Sequence, residues 1–157
     1  MTGGEKHLLI PKIEDGIVID HIPSGFGLRI LEVIHRYAEM TSTVGTVGLN
    51  YTSSKLGKKD MIKLSAEELP APVLQHISMV CPGVTIKRIK NYQVDKKFTI
   101  SLPDVMIGLA RCRNPSCVTH HERDVVTRFR CVDAASQRYK CAFCERIFAL
   151  KELEIIA

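Results

Sequence analysis

Four cysteines in the C-terminal third of the chain fall into two closely spaced pairs, Cys112 with Cys117 and Cys141 with Cys144. Short spacing lets one tight turn present two sulfur atoms to the same tetrahedral ion, which is typical of zinc sites. Four thiolates leave no open coordination position, so the predicted site is structural rather than hydrolytic. We therefore expect one structural zinc ion per chain, stabilising a small C-terminal unit.

The other two cysteines, Cys81 and Cys131, are expected to be buried core thiols. Cys131 is predicted to pack beside Phe129 in a strand where apolar and basic residues alternate. His120 and His121 could replace a ligand, but four better-placed thiols favour hydrogen-bonding or solvated histidines. Because no signal peptide or membrane-spanning stretch is recognisable, we expect a cytoplasmic protein whose cysteines bind metal.

Basic residues gather in two segments of the first hundred residues. They are Lys55, Lys58, Lys59 and Lys63 in a predicted hairpin, and Lys87, Arg88, Lys90, Lys96 and Lys97 on and after a predicted strand. Strand alternation places Lys59 and Lys63 on one face. This spacing leaves two interpretations open, a solvated basic face and a site for a phosphate-bearing ligand.

The composition excludes a disordered or fibrous protein, because 45% of the residues are hydrophobic and 25% are charged. A formal net charge of +5 favours phosphate-bearing partners but is far below that of a dedicated nucleic-acid-binding protein. Seven proline residues and ten glycines mark the ends of several of the segments that follow.

Strand-like and helix-like periods alternate through the first hundred residues. They predict strands at 16–22, 43–49, 59–64 and 84–92, helices at 26–40 and 71–81, a long polar loop at 50–57, and an extra strand at 8–13. This order is the split βαβ pattern of ferredoxin-like sandwiches, with two helices on one sheet face. The residues that follow, from 95 to 102, read as polar and are predicted to lead into a hinge at 102–104.

The predicted fold class is therefore α+β. A ferredoxin-like βαββαβ sandwich at residues 1–101 precedes a small all-β, zinc-ribbon-like domain at residues 102–157.

Five ordered features make the chain similar to the regulatory chains of aspartate carbamoyltransferase over essentially its full length. They are residues 18–23 (Val-Ile-Asp-His-Ile-Pro), 46–50 (Thr-Val-Gly-Leu-Asn), 57–63 (Gly-Lys-Lys-Asp-Met-Ile-Lys), 88–92 (Arg-Ile-Lys-Asn-Tyr) and the cysteine spacing. The resemblance implies a non-catalytic subunit with a nucleotide-binding sandwich and a zinc domain that docks on the catalytic chain.

The resemblance also implies the residues of an effector site. His21 is expected near the phosphates and Asp20 near the sugar, with Lys63 and Lys97 as the main lysines and Lys59 as added charge. The pocket for base and sugar is expected to comprise Ile10, Pro11, Lys12, Ile13, Ile89, Tyr92 and Val94. Lys87 departs from the family, whose members carry an uncharged polar residue near the base, so their ranking of pyrimidine against purine nucleotides does not carry over.

The partners implied by the resemblance are nucleoside triphosphates (CTP, ATP and, as a further candidate, UTP), a second regulatory chain and the catalytic chain. Asn114, Glu145 and Arg146, which flank the predicted metal ligands, are the candidates for contact with the catalytic chain. In the family, regulatory dimers bridge catalytic trimers, and no membrane or nucleic acid is involved.

Two other functions remain as alternatives. A sandwich with a zinc ribbon could bind RNA, but such sheets need aromatic residues for base stacking, and here Trp is absent and aromatics are 6%. An enzyme would need a nucleophile, a base and an orienting group, and the sequence provides no such set. We therefore predict no catalytic residues.

Overall fold

The computed structural model describes residues 10–156, which form two hydrophobic cores connected by residues 100–104. The N-terminal elements are β1 (Gly16–Pro23), α1 (Gly27–His35), β2 (Gly45–Ser53), β3 (Gly57–Leu64), α2 (Ala71–Val80), β4 (Thr85–Lys90) and β5 (Gln93–Thr99). The C-terminal strands are β6 (Val105–Ile107), β7 (Ala110–Arg111), β8 (Arg128–Asp133), β9 (Arg138–Cys141), β10 (Ile147–Ala149) and β11 (Glu154–Ile155).

The N-terminal strands form one antiparallel sheet in the order β2-β3-β1-β4-β5. Along β1, Ile17 and Ile19 point into the core between the sheet and the two helices. From the helices, Ile30, Ile34 and Ile77 are fully buried against them. The α+β fold and the placement of both helices on one sheet face therefore agree with the sequence-based prediction.

Several predicted boundaries were wrong. The helix predicted at 26–40 ends at His35, and after an extended Tyr37 a separate 3-10 turn covers Ala38–Met40. The tip predicted at 50–57 is much shorter, because β2 continues through a bulge at Asn50, which adopts a left-handed conformation (φ 60°). Of the predicted strand at 8–13, residues 8 and 9 lie outside the described residues, and 10–13 form no strand.

The largest correction concerns the polar connection predicted at 95–102, because residues 95–99 belong to strand β5 at the sheet edge. Every residue of β5 is exposed, so the strand lacks the apolar face by which a half-buried strand is recognised. The predicted strand at 84–92 ends at Lys90, because Asn91 and Tyr92 both have positive φ angles (50° and 64°) and form the hairpin turn.

The C-terminal unit contains a four-stranded sheet, β10-β9-β8-β6, and a two-stranded ribbon, β11-β7. Its core is built on Met106, Phe129 and Tyr139, which are fully buried, and on three of the paired cysteines. Met79 of α2 belongs to this core as well, so helix α2 contacts both cores. Among residues 10–156, no helix is long and apolar enough to cross a bilayer.

Candidate metal centre and anion-binding sheet face

The sulfur atoms of Cys112, Cys117, Cys141 and Cys144 all lie within 4.8 Å of one another. The Cys112 and Cys144 sulfurs are 3.6 Å apart, and those of Cys117 and Cys141 are 3.8 Å apart. A tetrahedral zinc ion with Zn–S bonds of about 2.3 Å requires sulfur separations of about 3.8 Å. The four predicted ligands are thus brought together in a geometry that fits such an ion.

Two different turns supply the ligands. Residues between Cys112 and Cys117 form a loop closed by a hydrogen bond from the Cys117 amide to the Asn114 carbonyl oxygen, at 3.0 Å. The second pair lies at the turn between β9 and β10, where the Glu145 amide donates to the Cys141 carbonyl oxygen at 3.0 Å. The hairpin of β8 and β9 carries this second pair towards the first.

Polar neighbours support the sulfurs. The Thr119 hydroxyl donates to the Cys117 sulfur at 3.3 Å. Burial raises the pKa of Cys144, but the Arg146 amide and the Asn114 side chain more than offset it and lower that pKa to about 7. Such partners orient metal ligands and favour the thiolate form that binds a metal.

The two histidines lie outside the sulfur cluster. His120 donates from Nε2 to the Cys112 carbonyl oxygen at 2.7 Å, and His121 donates from Nε2 to the Pro115 carbonyl oxygen at 3.1 Å. Both therefore brace the ligand loop as hydrogen-bond donors. Cys81 is buried in the N-terminal core, and Cys131 packs half-buried against the C-terminal core.

Of the interface candidates, Asn114 is buried beside Cys144, whereas Glu145 and Arg146 are exposed on the next turn. All three therefore lie around the candidate metal centre.

The second candidate site is the sheet face turned away from the helices, which we call the open sheet face. Strand register places five residues side by side across it, and paired residues point to the same face. In strand order they are Thr46, Lys63, Val18, Lys87 and Lys97. Three lysines from three different strands therefore share one row of this face.

Asp20 lies two residues beyond Val18 along β1, on the same sheet face. Among the predicted effector-site residues that the structure describes, it is the only acidic one. Its Oδ1 is 2.8 Å from the Lys59 ammonium, and its Oδ2 is 3.0 Å from the Lys87 ammonium. Burial opposes ionisation of Asp20, but Lys59, the His21 amide and Lys87 lower its pKa to about 2. The carboxylate stays ionised and holds two ammonium groups in place.

A bulge in β1 determines the orientation of the His21 side chain. Register with β3 breaks between Ile19 and Ile22, and His21 adopts a left-handed conformation with φ 56°. The His21 amide donates to Asp20 Oδ1 at 2.7 Å, and its Nδ1 lies 3.2 Å from the Thr85 hydroxyl. Burial, together with Lys59, Lys87 and Lys55, lowers the pKa of His21, while Asp20 acts in the opposite direction.

The segment 10–13 lies beside this face. Lys63 donates to the Pro11 carbonyl oxygen at 2.7 Å, and Ile10 packs over Gly48, where a Cβ would collide with it. Burial lowers the pKa of Lys63, which is consistent with partial enclosure by this segment. Lys12 and Pro11 are exposed, and Ile13 is half-buried.

The remaining predicted residues lie at the other end of the face. Ile89 is paired with Val94 across β4 and β5, and Tyr92 lies in the turn that joins these strands. Ile89 is buried, whereas Tyr92 and Val94 expose 59% and 54% of their surface. The open sheet face is thus apolar at the β4–β5 turn and cationic towards Asp20.

Two contacts near this face have no local signal in the sequence. The Thr85 hydroxyl beside His21 depends on the pairing of Asp20 with Thr85, which is a cross-strand relation. Asp60 is buried and accepts hydrogen bonds from the amides of Gly25, Gly27 and Asn50. It fixes the start of α1 and the β2 bulge next to Lys59, a role that no local sequence signal reveals.

Two family models match this chain, one over its N-terminal part and one over its C-terminal part. Residues 8–101 match the model of the allosteric domain of the aspartate carbamoyltransferase regulatory chain, and residues 104–154 match that of its metal-binding domain. A regulatory chain of Thermoplasma acidophilum is 38% identical over 149 residues, covering 95% of this chain and 98% of the relative. That of Thermococcus onnurineus is 36% identical over 150 residues, covering 96% and 97%.

A third relative, from Thermoplasma volcanium, is 40% identical over 142 residues, covering 90% of this chain and 93% of its own. It carries the same name. The chain therefore belongs to the family of aspartate carbamoyltransferase regulatory chains, non-catalytic subunits with an allosteric domain and a metal-binding domain.

Proposed function

We propose that the chain binds nucleoside triphosphates on the open sheet face and passes their effect to a catalytic chain of aspartate carbamoyltransferase in pyrimidine biosynthesis. CTP and ATP are the proposed effectors, with UTP as a further candidate. The observation that carries the proposal is the row of Lys63, Lys87 and Lys97 across three strands, beside Asp20 and His21.

The charges of this face suit a polyphosphate. Ammonium groups bind phosphate oxygens through charge-assisted hydrogen bonds, which are stronger than neutral ones. Lys59 and Lys87 share the single carboxylate of Asp20, so the cluster keeps an excess of positive charge. An anion that enters the cluster gains interactions with several lysines at once.

The apolar end of the face suits the base and the sugar. Ile89, Tyr92 and Val94 provide apolar surface, and the segment 10–13 provides backbone groups that can read a base without matching side chains. In this proposal the nucleotide lies along β1 and β4, with the base near the β4–β5 turn and the phosphates towards Asp20.

Zinc is the metal we propose, one ion per chain, because four thiolates at tetrahedral spacing are its usual structural ligands. When bound, the ion supplies a fixed tetrahedral link between the two cysteine turns. We propose that Asn114, Glu145 and Arg146, which these turns position, contact the catalytic chain. Regulatory dimers that bridge catalytic trimers complete the proposed assembly, and a cytoplasmic location stays a prediction.

Effector binding must favour one quaternary state over another, because a ligand shifts an equilibrium only through different affinities for its states. Coupling of about 1 to 3 kcal/mol is typical of such systems. The proposed division places the effector on the open sheet face, while α2 contacts both cores from the other face of the sheet.

Calorimetric titration of the metal-loaded chain with CTP, ATP and poly-U tests the proposal. We expect saturable binding of the triphosphates, and loss of that binding in Lys63→Ala and Lys97→Ala. Lys96→Ala is the matched control, because Lys96 pairs with Arg88 and lies over the Phe98 ring on the helix side of the sheet. Triphosphate affinity equal in all four proteins would contradict the proposed site.

Titration with poly-U tests the alternative that the chain binds RNA. Tight, steeply salt-dependent binding of poly-U without saturable nucleotide binding would replace the proposed function with RNA binding.

A further inference from the structure

We infer that His76 forms an acid-sensitive contact between the two units. Neutral His76 keeps the C-terminal segment, residues 150–156, packed against α1 and α2, and a proton on His76 loosens that segment. The inference concerns the connection between the two cores and does not depend on nucleotide binding.

The first observation is the position of the C-terminal segment. Leu153 is buried in the C-terminal core, and the Ile156 amide donates to the Leu109 carbonyl oxygen at 2.8 Å. Leu153 and Ile155 also line a cleft together with Met79 of α2. The segment is therefore anchored in the C-terminal unit and reaches the helices of the N-terminal unit.

The second observation is the burial of His76, which lies one turn before Met79 on α2. Only 4% of its surface is exposed. Its Nδ1 is hydrogen-bonded to the Tyr37 hydroxyl, which also donates to the Pro72 carbonyl oxygen at 3.1 Å. Its Nε2 has no hydrogen-bond partner among residues 10–156. The ring is thus held at one nitrogen only within this part of the chain.

The third observation is the surroundings of the ring. Burial lowers the pKa of His76 from its ordinary value of 6.5, the Ile156 backbone opposes this shift, and the Arg36 charge adds to it. A backbone group that favours protonated histidine is a hydrogen-bond acceptor, so the Ile156 carbonyl faces the ring. Burial and the Glu39 charge raise the pKa of Tyr37, so its hydroxyl stays neutral.

No carboxylate compensates a charge on His76 within residues 10–156, because neither ring nitrogen is bonded to one. Helix α2 carries no other titratable side chain. On α1, the Glu32 carboxylate is exposed and pairs with Arg36. The acids of the C-terminal segment are exposed as well, since Glu152 accepts a hydrogen bond from the Ala149 amide and Glu154 faces Arg111.

A proton on His76 therefore places a buried charge beside Arg36, which is costly unless water enters. Separation of the C-terminal segment from the helices admits water and restores an ordinary pKa to His76. Because the pKa is lowered in the packed arrangement, that arrangement keeps its full stability above pH 6.5 and loses it as the pH falls. Between pH 7.5 and 5.5, opening is favoured by up to about tenfold.

Hydrogen exchange of the full, metal-loaded chain at pH 7.5 and 5.5 tests this inference, after correction for the intrinsic pH dependence of exchange. In the wild-type chain we expect exchange of residues 150–156 to increase by up to about tenfold at the lower pH, with β8 as the unchanged reference. In His76→Gln, whose side chain is polar but does not titrate, the increase should stay below about twofold.

A matched pair of surface variants tests the inference even if His76→Gln fails to fold. Arg36→Gln and Glu32→Gln both remove the exposed pair of these residues, but only Arg36→Gln removes a positive charge beside His76. We expect a smaller increase in exchange for Arg36→Gln than for the wild-type chain. Glu32→Gln should show the wild-type increase.

No increase in the wild-type chain, or the same increase in His76→Gln, would overturn the inference. Equal effects of Arg36→Gln and Glu32→Gln would overturn it too, because the surface pair and not the charge beside His76 would then control opening. An equal increase in β8, or loss of metal at pH 5.5, would assign the acid effect to the metal centre instead. None of these outcomes bears on the proposed nucleotide site, which the titrations with CTP and ATP test separately.

Discussion

Asp20 and Lys87, 67 residues apart in the chain, meet on the open sheet face with 3.0 Å between Oδ2 and the ammonium nitrogen. Lys59 binds the other carboxylate oxygen, so Asp20 holds two lysine side chains in a fixed arrangement. Because Lys59 and Lys87 would otherwise repel each other, we expect the carboxylate to stabilise the fold, and in the proposed function it also orders the two ammonium groups for an anion.

Replacement of Asp20 by Asn should lower the free energy of unfolding at pH 7 by about 2 kcal/mol, because the pKa of Asp20 is lowered from 3.8 to about 2 in the folded chain. An acidic group whose pKa is lower in the folded chain than in the unfolded chain contributes its full stabilisation at pH values above its unfolded pKa. That contribution is lost as the pH falls from about 4 towards 2. Urea unfolding of both proteins at several pH values measures the difference.

The matched control for this substitution is Asp95→Asn, which removes an exposed partner of Arg88 on the opposite sheet face. Its cost should be below about 1 kcal/mol, as for other surface pairs. Equal costs for the two variants would contradict the stabilising role of Asp20.

Nucleotide binding should be coupled to proton uptake at His21. Burial and the lysines lower the pKa of His21, so the free chain carries it neutral at pH 7, and a phosphate nearby raises that pKa. Affinity for CTP should therefore increase as the pH falls from 8 to 6. Titration at constant pH in buffers with different ionisation enthalpies reads the proton uptake directly.

His21→Gln separates this effect from protonation of the nucleotide itself. The wild-type chain should take up more protons per bound CTP than the variant does. Identical proton uptake by both proteins would place His21 away from the phosphates.

Metal analysis should find one zinc ion per chain, and Cys144→Ser should lose it. Since structural zinc sites contribute on the order of 10 kcal/mol to folding, chelation should unfold the C-terminal core. Circular dichroism and tyrosine fluorescence follow this change through Tyr139, which is buried there. Cys131→Ser should retain the metal, and loss of zinc from this control would contradict the assigned ligand set.

Gly48→Ala tests the placement of the segment 10–13. An added Cβ would collide with Ile10 and with the Tyr51 ring, so both side chains must move. Overpacking of this kind costs about 1 to 3 kcal/mol. We expect weaker CTP binding together with lower stability, whereas Thr52→Ala, an exposed change in the same strand, should alter neither. Unchanged CTP affinity in Gly48→Ala would separate this segment from the proposed nucleotide site.

Local sequence patterns predict strand β1, helix α2 and the sulfur cluster, because each depends on residues close together in the chain. Strand β1 is rich in Ile and Val, α2 begins near Ala71 after a proline and ends at Val80 before Pro82 and Gly83, and the cysteine spacing defines the sulfur cluster. In contrast, β5 is exposed along its whole length, so only its pairing with β4 makes it a strand. Pairing by backbone hydrogen bonds does not require apolar residues, so the sequence of β5 shows no alternation of apolar and polar residues from which a strand could be predicted.

The open sheet face illustrates the same limit at the level of side chains. Lysine clustering left both a solvated basic face and an anion site open, whereas the meeting of Lys59 and Lys87 on Asp20 depends on a β1 bulge and on strand order. Likewise, Asp60 stabilises the start of α1 from a different strand. Such relations arise from tertiary structure, and a one-residue change in register would abolish them.

We propose that nucleotide bound on the open sheet face regulates a catalytic chain. The most direct test is reconstitution with the catalytic subunit of the same organism, followed by aspartate saturation curves with and without CTP and ATP. We predict that at least one nucleotide shifts the half-saturating aspartate concentration, and that complexes containing Lys63→Ala assemble but lose this shift. Assembly of the wild-type complex with no response to any nucleotide, or turnover by this chain without the catalytic subunit, would contradict the claim.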